Sequence, residues 1–377
     1  MSNNFFEILK KSDTGKARAG VINTDRSQIL TPVFMPVGTQ ATVKAVEQSI
    51  LPELSSGIIL GNTYHLYLRP GTEVLEHFGG LHKFMNWEKS ILTDSGGYQV
   101  FSLKENRKLR ENGVEFRSHI DGSKHFFTPE KVVEIQRSIG SDIIMVLDEC
   151  LEYPSEEKAV RKSMDLSLKW AKESKIAFDQ TEPKYGKRQF QFGIAQGGMF
   201  ANLRTDYCIS QSDMDFDGNA IGGLSVGEPA ELMYEMTDIC TDNFPEEKPR
   251  YLMGVGTPEN LLECIDRGVD MFDCVLPTRN ARNGQIFTSR GKINLRNNQY
   301  KFSDEPIDPI GVSPVSQKYS LGYLRHLFVA KETLALIIAS QQNLGFYKYL
   351  MQTARQKILN GEFRQWKNEF LAHYNGK

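Results

Sequence analysis

A (β/α)8 barrel is the fold that this sequence predicts, and three observations predict it. Short apolar, β-branched runs recur along the chain as far as Gly284 and stop at Gly or a polar residue. Helix-like segments lie between most of them. Chemistry-bearing residues gather at the C-terminal ends of the runs, the face on which barrel enzymes build their sites. Near-continuous apolar strands alternating with amphipathic helices indicate a parallel sheet covered by helices, and eight such units are the count at which it closes. An open doubly wound sheet is the alternative that this alternation leaves.

The runs, in order, are Pro32 to Gly38, Gly57 to Gly61, Ser90 to Asp94, Asp142 to Asp148, Gln191 to Gln196, Gly218 to Gly222, Arg250 to Gly254 and Val269 to Asp273. The intervening helices include Pro129 to Gly140, with Thr128 as cap and Pro129 at the first position, and Ser155 to Phe178. Pro229 to Cys240 and Pro258 to Gly268 repeat the pattern. Glu105 to Thr128 is polar, with turn signals at Glu111 to Gly113 and Asp121 to Ser123, and reads as a hairpin inserted beside the barrel mouth. Beyond Gly284 come a strand-like patch at Gln285 to Leu295, a Pro-containing loop at Asp304 to Pro314, and helices from about Ser320 to Tyr374. The division expected is a catalytic barrel over 1–284 and a mainly helical C-terminal subdomain over 285–377.

Composition narrows the function classes. With 377 residues, 40% hydrophobic and 24% charged, the chain has an ordinary globular balance and no run of roughly 20 apolar residues that would span a membrane. The N-terminus lacks a basic start followed by an apolar block, so a cytoplasmic location is expected. Five scattered cysteines with no Cys-x-x-Cys pair suggest neither a disulfide framework nor a cysteine-rich zinc site. A net charge of -2 argues against nucleic-acid binding by global positive charge, so any such contact is local. From Gly345 to Lys377, six Lys/Arg face two Glu, which makes this stretch a candidate RNA-facing surface or simply a solvated helix face.

The chemistry concentrates on a few strand ends. Asp273 is an acid in an apolar run just ahead of Arg279 and Arg282: a nucleophile beside phosphate binders, or a core Asp held in a structural ion pair. Asp94 is followed by Ser95, Gly96, Gly97 and Tyr98, which offer a second acid, a close backbone approach and an aromatic face, or a Gly-rich turn with a capping Asp. Two carboxylates from separate strands suit double displacement at an anomeric carbon. Asp148, Gln196 and the Gly222-Gly223-Leu224 backbone are acceptors and donors of the kind that read a purine edge, although a polar mouth with waters would use the same residues. Met253 could floor such a pocket or be ordinary core, and Gly254, Val255 and Gly256 follow it at the same strand end. No phosphate-binding P-loop, no dinucleotide fingerprint and no His or Cys/His ligand spacing is present, so neither a nucleotide cofactor nor a catalytic metal is expected.

Taken together, six separated motifs resemble the queuine/pre-queuosine tRNA-guanine transglycosylases of the bacterial type, from about Ala17 to Phe363. They are Asp94 to Tyr98, Ser118 to His125, Asp148 to Cys150, Gly193 to Gly198, Gly222 to Glu228 and Phe272 to Arg279. The resemblance implies a (β/α)8 enzyme that exchanges guanine at the wobble position of tRNAs with GUN anticodons for a 7-deazaguanine base. In that role Asp273 is the nucleophile on the ribose C1′ and Asp94 the general acid/base. Asp148, Gln196, Gly223 and Leu224 bind the base together with the Asp94 to Gly97 turn, and Tyr98 and Met253 sandwich it. Gly254, Val255, Gly256, Arg279 and Arg282 contact the RNA of the anticodon loop. A homodimer is implied as well. Cys150 and Val226 match the bacterial type, which favours 7-aminomethyl-7-deazaguanine over queuine as the incoming base.

One departure is large. The family's structural zinc is held by Cys-x-Cys-x-x-Cys and a later His, and those positions here are Gly311, Ser313, Ser316 and Gln342. Neutral hydroxyls and amides lack the donor strength of thiolate or imidazole, so no structural zinc is expected. Apolar packing around Leu324, Leu327, Leu334 and Leu344 is expected in its place. Two other readings stand beside exchange: a non-catalytic tRNA-binding partner subunit, which would be expected to lose the acids as well, and an unrelated barrel glycoside hydrolase, which leaves the purine-reading residues unused.

Overall fold

The computed structural model describes residues 4–102, 107–374 and 376. All eight expected strands form, and they are labelled β1 (Val33–Met35 and Val37–Gly38, either side of Pro36), β2 (Ile58–Gly61), β3 (Ser90–Thr93) and β4 (Ile143–Met145). The remainder are β5 (Phe190–Ala195), β6 (Gly218–Ile221), β7 (Arg250–Leu252) and β8 (Met271–Asp273). Every pairing among them is parallel. The first half of β1 pairs with β8 (Met271 opposite Val33), while its second half pairs with β2 (Val37 opposite Leu60), so the sheet closes on itself. Pro36 has no N–H to give, but its carbonyl accepts from Leu60 N at 2.9 Å, which carries the seam across the proline.

Helices cover the outside where the chain signals them. Thr128 Oγ1 accepts from Lys131 N at 3.0 Å and Pro129 occupies the first turn of Pro129–Ile139, which ends at Gly140 in the left-handed conformation. Thr257 and Pro258 open Pro258–Asp266 in the same way. Glu157–Asp179, Ala201–Ser212 and Ala230–Asn243 fill the positions between.

The inserted segment is more than one hairpin. Arg107–Arg110, Gly113–Arg117 and Lys124–Phe127 form a three-stranded antiparallel sheet, because both turn signals are used and each supports its own hairpin; Glu105 and Asn106 lie outside the described residues. A second antiparallel sheet, Phe6–Lys11, Arg18–Asn23 and Gln28–Thr31, closes the N-terminal end of the barrel and was not expected from the sequence. Beside it Phe5 stacks on Phe190 of β5 at 3.9 Å between centroids. Arg18 fixes this sheet to the barrel through Nε to Asp270 Oδ1 (2.9 Å) and Nη2 to Asp270 Oδ2 (2.6 Å), with Asp270 wholly buried. Removing one member strands the other charge in the interior. Asp270→Ala is therefore expected to cost about 3–5 kcal/mol of unfolding free energy. A urea titration showing wild-type stability would contradict this.

After β8 the chain makes Leu276–Arg282, the hairpin Gln285–Thr288/Gly291–Asn294, Leu321–Ala330, the long helix Thr333–Leu359 and Phe363–Tyr374. Phe346, Tyr347, Leu350 and Met351 of the long helix lie in one buried cluster with Phe34, Leu252 and Phe272 of the barrel strands, so this helix completes the outer ring. Of the four leucines expected to order the C-terminal part, Leu324 and Leu327 pack together and Leu344 is buried on the barrel side, but Leu334 is 39% exposed. It sits in the first turn of its helix, where the chain enters from solvent.

Candidate active site at the barrel mouth

Side chains alternate along a strand, so the barrel interior is built from every second residue. Leu60, Leu92, Ile194, Ala220, Tyr251 and Met271 all belong to the apolar interior cluster. Two residues further on, at the mouth, the same inward positions carry Asn62, Asp94, Gln196, Gly222, Met253 and Asp273. The ladder continues to that level through Asp94 N to Gly61 O (3.2 Å), Gly222 N to Ala195 O (2.9 Å) and Met253 N to Ile221 O (3.2 Å). The polar site is thus the top layer of the barrel stack, floored by apolar layers that exclude water.

Asp94 is buried and surrounded by donors. Its Oδ2 accepts from Asn62 Nδ2 (2.5 Å) and Gln99 Nε2 (2.9 Å), and its Oδ1 from Thr63 N (2.9 Å) and Gly96 N (3.2 Å). Burial nevertheless pushes its carboxyl up to about 6; the donors pull the other way, and the charge of Asp273 adds to the rise. Asp148, also buried, accepts from Gln196 Nε2 at 2.6 Å and from Ser95 Oγ at 3.3 Å, and burial pushes it to about 6, with Asp94 adding its charge. Gly96 has φ +80°, and a Cβ on Gly97 would stand 2.8 Å from the Asp148 carbonyl, so this turn admits only glycine.

Asp273 is partly exposed and differently held. Its Oδ1 accepts from Tyr251 OH at 2.6 Å and Gly254 N at 2.9 Å, while its Oδ2 takes no hydrogen bond among the described residues. Burial raises its pKa against the pull of these two donors. Neither Arg279 nor Arg282 pairs with it, and among the described residues neither forms a salt bridge at all. The structural ion-pair reading of Asp273 therefore fails. The two arginines stand three residues apart on Leu276–Arg282, close enough that Arg279, after burial, helps lower the pKa of Arg282, and Arg282 Nη1 is buried without a partner. Two guanidinium groups that are unpaired among the described residues keep their donors free for an anion.

Other sequence-derived positions divide. Gly223 is in the left-handed conformation (φ +65°), and a Cβ there would meet Gln196 Oε1 at 2.4 Å. Leu224 is buried. Tyr98 is 61% exposed at the start of its helix and Met253 is half-buried, so in this structure the mouth between them is open. Gly254 is exposed, but Val255 and Gly256 are buried, and Tyr347 OH donates to the Gly256 carbonyl; of that segment only Gly254 is open to a partner. The basic C-terminal stretch is not a free cationic surface. Lys367 pairs with Glu263 and Asp266 (2.9 Å each), Arg364 with Asp266, and Lys357 with Glu362, while Arg355 donates to the Gly20 and Thr31 carbonyls and Lys348 to that of Glu53. Lys377 lies outside the described residues.

Residues 13–376 match the family described as queuine tRNA-ribosyltransferase. The chain belongs to that family. Proteins named queuine tRNA-ribosyltransferase from Caldanaerobacter subterraneus subsp. tengcongensis and from Francisella tularensis subsp. novicida are 57% and 50% identical to it, each match covering 98% of both chains. One of the same name from a Thermoanaerobacter species is 52% identical over 99% of this chain and 98% of its own.

Within this ribosyltransferase fold, several side chains take supporting roles that the sequence did not assign. Tyr251 orients Asp273; Asn62, Thr63 and Gln99 orient Asp94; Glu228 accepts from Ser225 N and, at 2.9 Å, from Val226 N, shaping the turn after Gly223. The only signal for Tyr251 was a hydroxyl at an inward strand position. The zinc positions of the family carry a different structure here. Ser316 Oγ donates to Gln342 Oε1 (2.7 Å), Ser313 Oγ lies 3.0 Å from Ser316 Oγ, and Gln342 Nε2 donates to the Phe287 carbonyl (3.0 Å). These neutral groups satisfy one another and do not make a zinc donor set. Among the described residues no group of three or more His, Cys, Asp or Glu is placed to hold a metal.

Proposed function

We propose that the chain exchanges the wobble guanine of tRNAs with GUN anticodons for 7-aminomethyl-7-deazaguanine, by double displacement. The observation that carries this reading is the Asp273 Oδ2, which takes no hydrogen bond among the described residues at the same mouth as Asp94 and Asp148, with Arg279 and Arg282, unpaired among the described residues, on the helix that follows β8. Asp273 Oδ2 attacks the ribose C1′; the C1′–N9 bond breaks and its electron pair leaves with guanine, which takes a proton from Asp94. The incoming base then loses a proton to Asp94, attacks C1′ and releases the Asp273 carboxylate. Charge and electrons balance without a cofactor.

Asp148 accepts from the N1–H and 2-amino group of the base. Gln196 has a second N–H beyond the one given to Asp148, and this, with the Gly223 N–H, serves the purine carbonyl. Tyr98 and Met253 close over the two ring faces, Ser95 to Gly97 border the edge, and Leu224 backs it. Arg279 and Arg282, with Gly254, hold flanking anticodon-loop phosphates. Cys150, half-buried at the pocket wall, and Val226 favour the aminomethyl base over the bulkier queuine.

Incubation of the protein with radiolabelled guanine and such a tRNA tests the reading: label entering tRNA supports it, and no incorporation with correctly folded protein refutes it. The chain is also proposed to work in the cytoplasm as a homodimer; no helix among the described residues is long and apolar enough to cross a membrane. Light scattering checks the dimer.

The Ser313–Ser316–Gln342 network is proposed to stand in for zinc. Chelator treatment is then expected to leave both activity and thermal midpoint unchanged, whereas Gln342→Ala, which strands two hydroxyls and a carbonyl, costs about 2–4 kcal/mol. Stoichiometric zinc in protein purified without chelator would overturn this.

A further inference from the structure

Arg204 is wholly buried on Ala201–Ser212, and among the described residues no carboxylate pairs with it. A buried guanidinium without a counter-ion is costly and must be offset by oriented carbonyls. Its Nε donates to Gly198 O at 2.9 Å, Nη1 to Gly222 O at 2.9 Å and Ala195 O at 3.3 Å, and Nη2 reaches Gly223 O at 3.4 Å, while Nη1 also lies 4.0 Å from the buried Cys240 Sγ. All four carbonyls belong to the ends of β5 and β6, where Gln196 and Gly223 face the pocket. A purely structural arginine would be expected to pair with an acid; this one joins two base-edge loops.

We infer that Arg204 is a positioning residue that aims the Gly223 N–H at the purine carbonyl, an assignment that rests on the exchange reading above. The peptide plane supplies the reason. In a trans peptide the C=O and the following N–H point in opposite directions, so anchoring Gly222 O behind the pocket turns the Gly223 N–H into it. That N–H lies near the half-buried Cys150 thiol, whose pKa burial raises and the Gly223 N–H draws back down. The brace is needed because Gly222 and Gly223 have no side chains to fix their own conformation. Lysine cannot replace it, since one ammonium cannot span four carbonyls as the planar fork does.

The test compares Arg204→Lys and Arg204→Met with the wild type, using guanine and 6-thioguanine, which keeps the N1–H and 2-amino group but offers sulfur, a weaker acceptor, in place of the oxygen. Wild-type exchange of labelled guanine comes first; its absence would sink the exchange reading and not this assignment. Arg204→Lys keeps charge and much of the volume, and is expected to raise KM for guanine about tenfold with kcat within about threefold. Inhibition by 6-thioguanine is expected to weaken far less, so the preference for the oxo base collapses. Equal weakening of both ligands, or an unchanged guanine KM, overturns the assignment. In case neither variant folds, hydrogen exchange on the wild type decides: guanine must slow exchange of the Gly223 amide, and no protection there overturns the inference.

Discussion

Asp273→Asn is expected to abolish exchange while leaving the fold intact. Tyr251 OH and Gly254 N both address Oδ1, an oxygen that asparagine also presents, and the amide nitrogen then occupies the place of Oδ2, which no donor contacts among the described residues. No buried donor is left facing another donor, so stability is expected to change by less than about 1 kcal/mol. Chemistry is lost because an amide nitrogen has no available electron pair with which to form the bond to C1′. Removal of a catalytic nucleophile or a residue acting as one unit with it commonly costs on the order of 10⁴-fold or more. The same substitution must eliminate the covalent species. Wild-type protein mixed with tRNA in the absence of an incoming base should give a protein–RNA adduct on a denaturing gel, and the variant none. Wild-type exchange rates in the variant would end the assignment of Asp273.

The strands were legible because near-continuous apolar runs stop at Gly or a polar residue, and Asp94, Asp148 and Asp273 because each is an acid at the end of such a run. The alternation that turns Asp94 and Asp273 inward shows only once the strands are paired. Supporting residues were not legible, for separate physical reasons. Tyr251 sits in an apolar strand and reads as core until its hydroxyl is seen to reach Asp273. An arginine within a helix reads as a solvated side chain, and nothing local tells that Arg204 turns inward. The basic C-terminus could be read as a surface for RNA or as a solvated helix face because the acids that pair with Lys367 and Arg364, Glu263 and Asp266, lie about a hundred residues away. The N-terminal sheet escaped because its strands alternate weakly and are identified by what they cover. Nor can sequence supply the pKa of Asp94 or Asp148, which is set by burial and by charges from other strands.

Those raised pKa values give the second large prediction, at Asp148. Only the ionised carboxylate accepts two N–H groups from the base, so kcat/KM should fall as the pH drops through about 6, well above the ordinary carboxylate range. Asp94 and Asp148 influence one another, so their titrations near pH 6 are coupled: protonation of Asp148 sets the loss on the acid side, while ionisation of Asp94, which must give a proton to the departing guanine, limits the rate on the alkaline side. Asp148→Asn puts an amide donor where the base also donates, and guanine binding is expected to weaken by about 10³-fold. Stability should move the other way. Gln196 and Ser95, the side chains that donate to Asp148, can both reverse, one by an amide flip and one by rotation of its hydroxyl, whereas Asp94 faces two backbone N–H groups that cannot. A folded pKa raised above the unfolded value of 3.8 means that the native state holds the proton more tightly. The stability this contributes is complete below pH 4 and is lost as the pH rises through about 6, leaving an ionised, buried group that costs up to about 3 kcal/mol at neutral pH. Asp148→Asn removes that cost. Its thermal midpoint should exceed that of the wild type at pH 8 and converge with it near pH 4, so a variant less stable than wild type at pH 8 would show that Asp148 is held chiefly by its hydrogen bonds and not strained by burial.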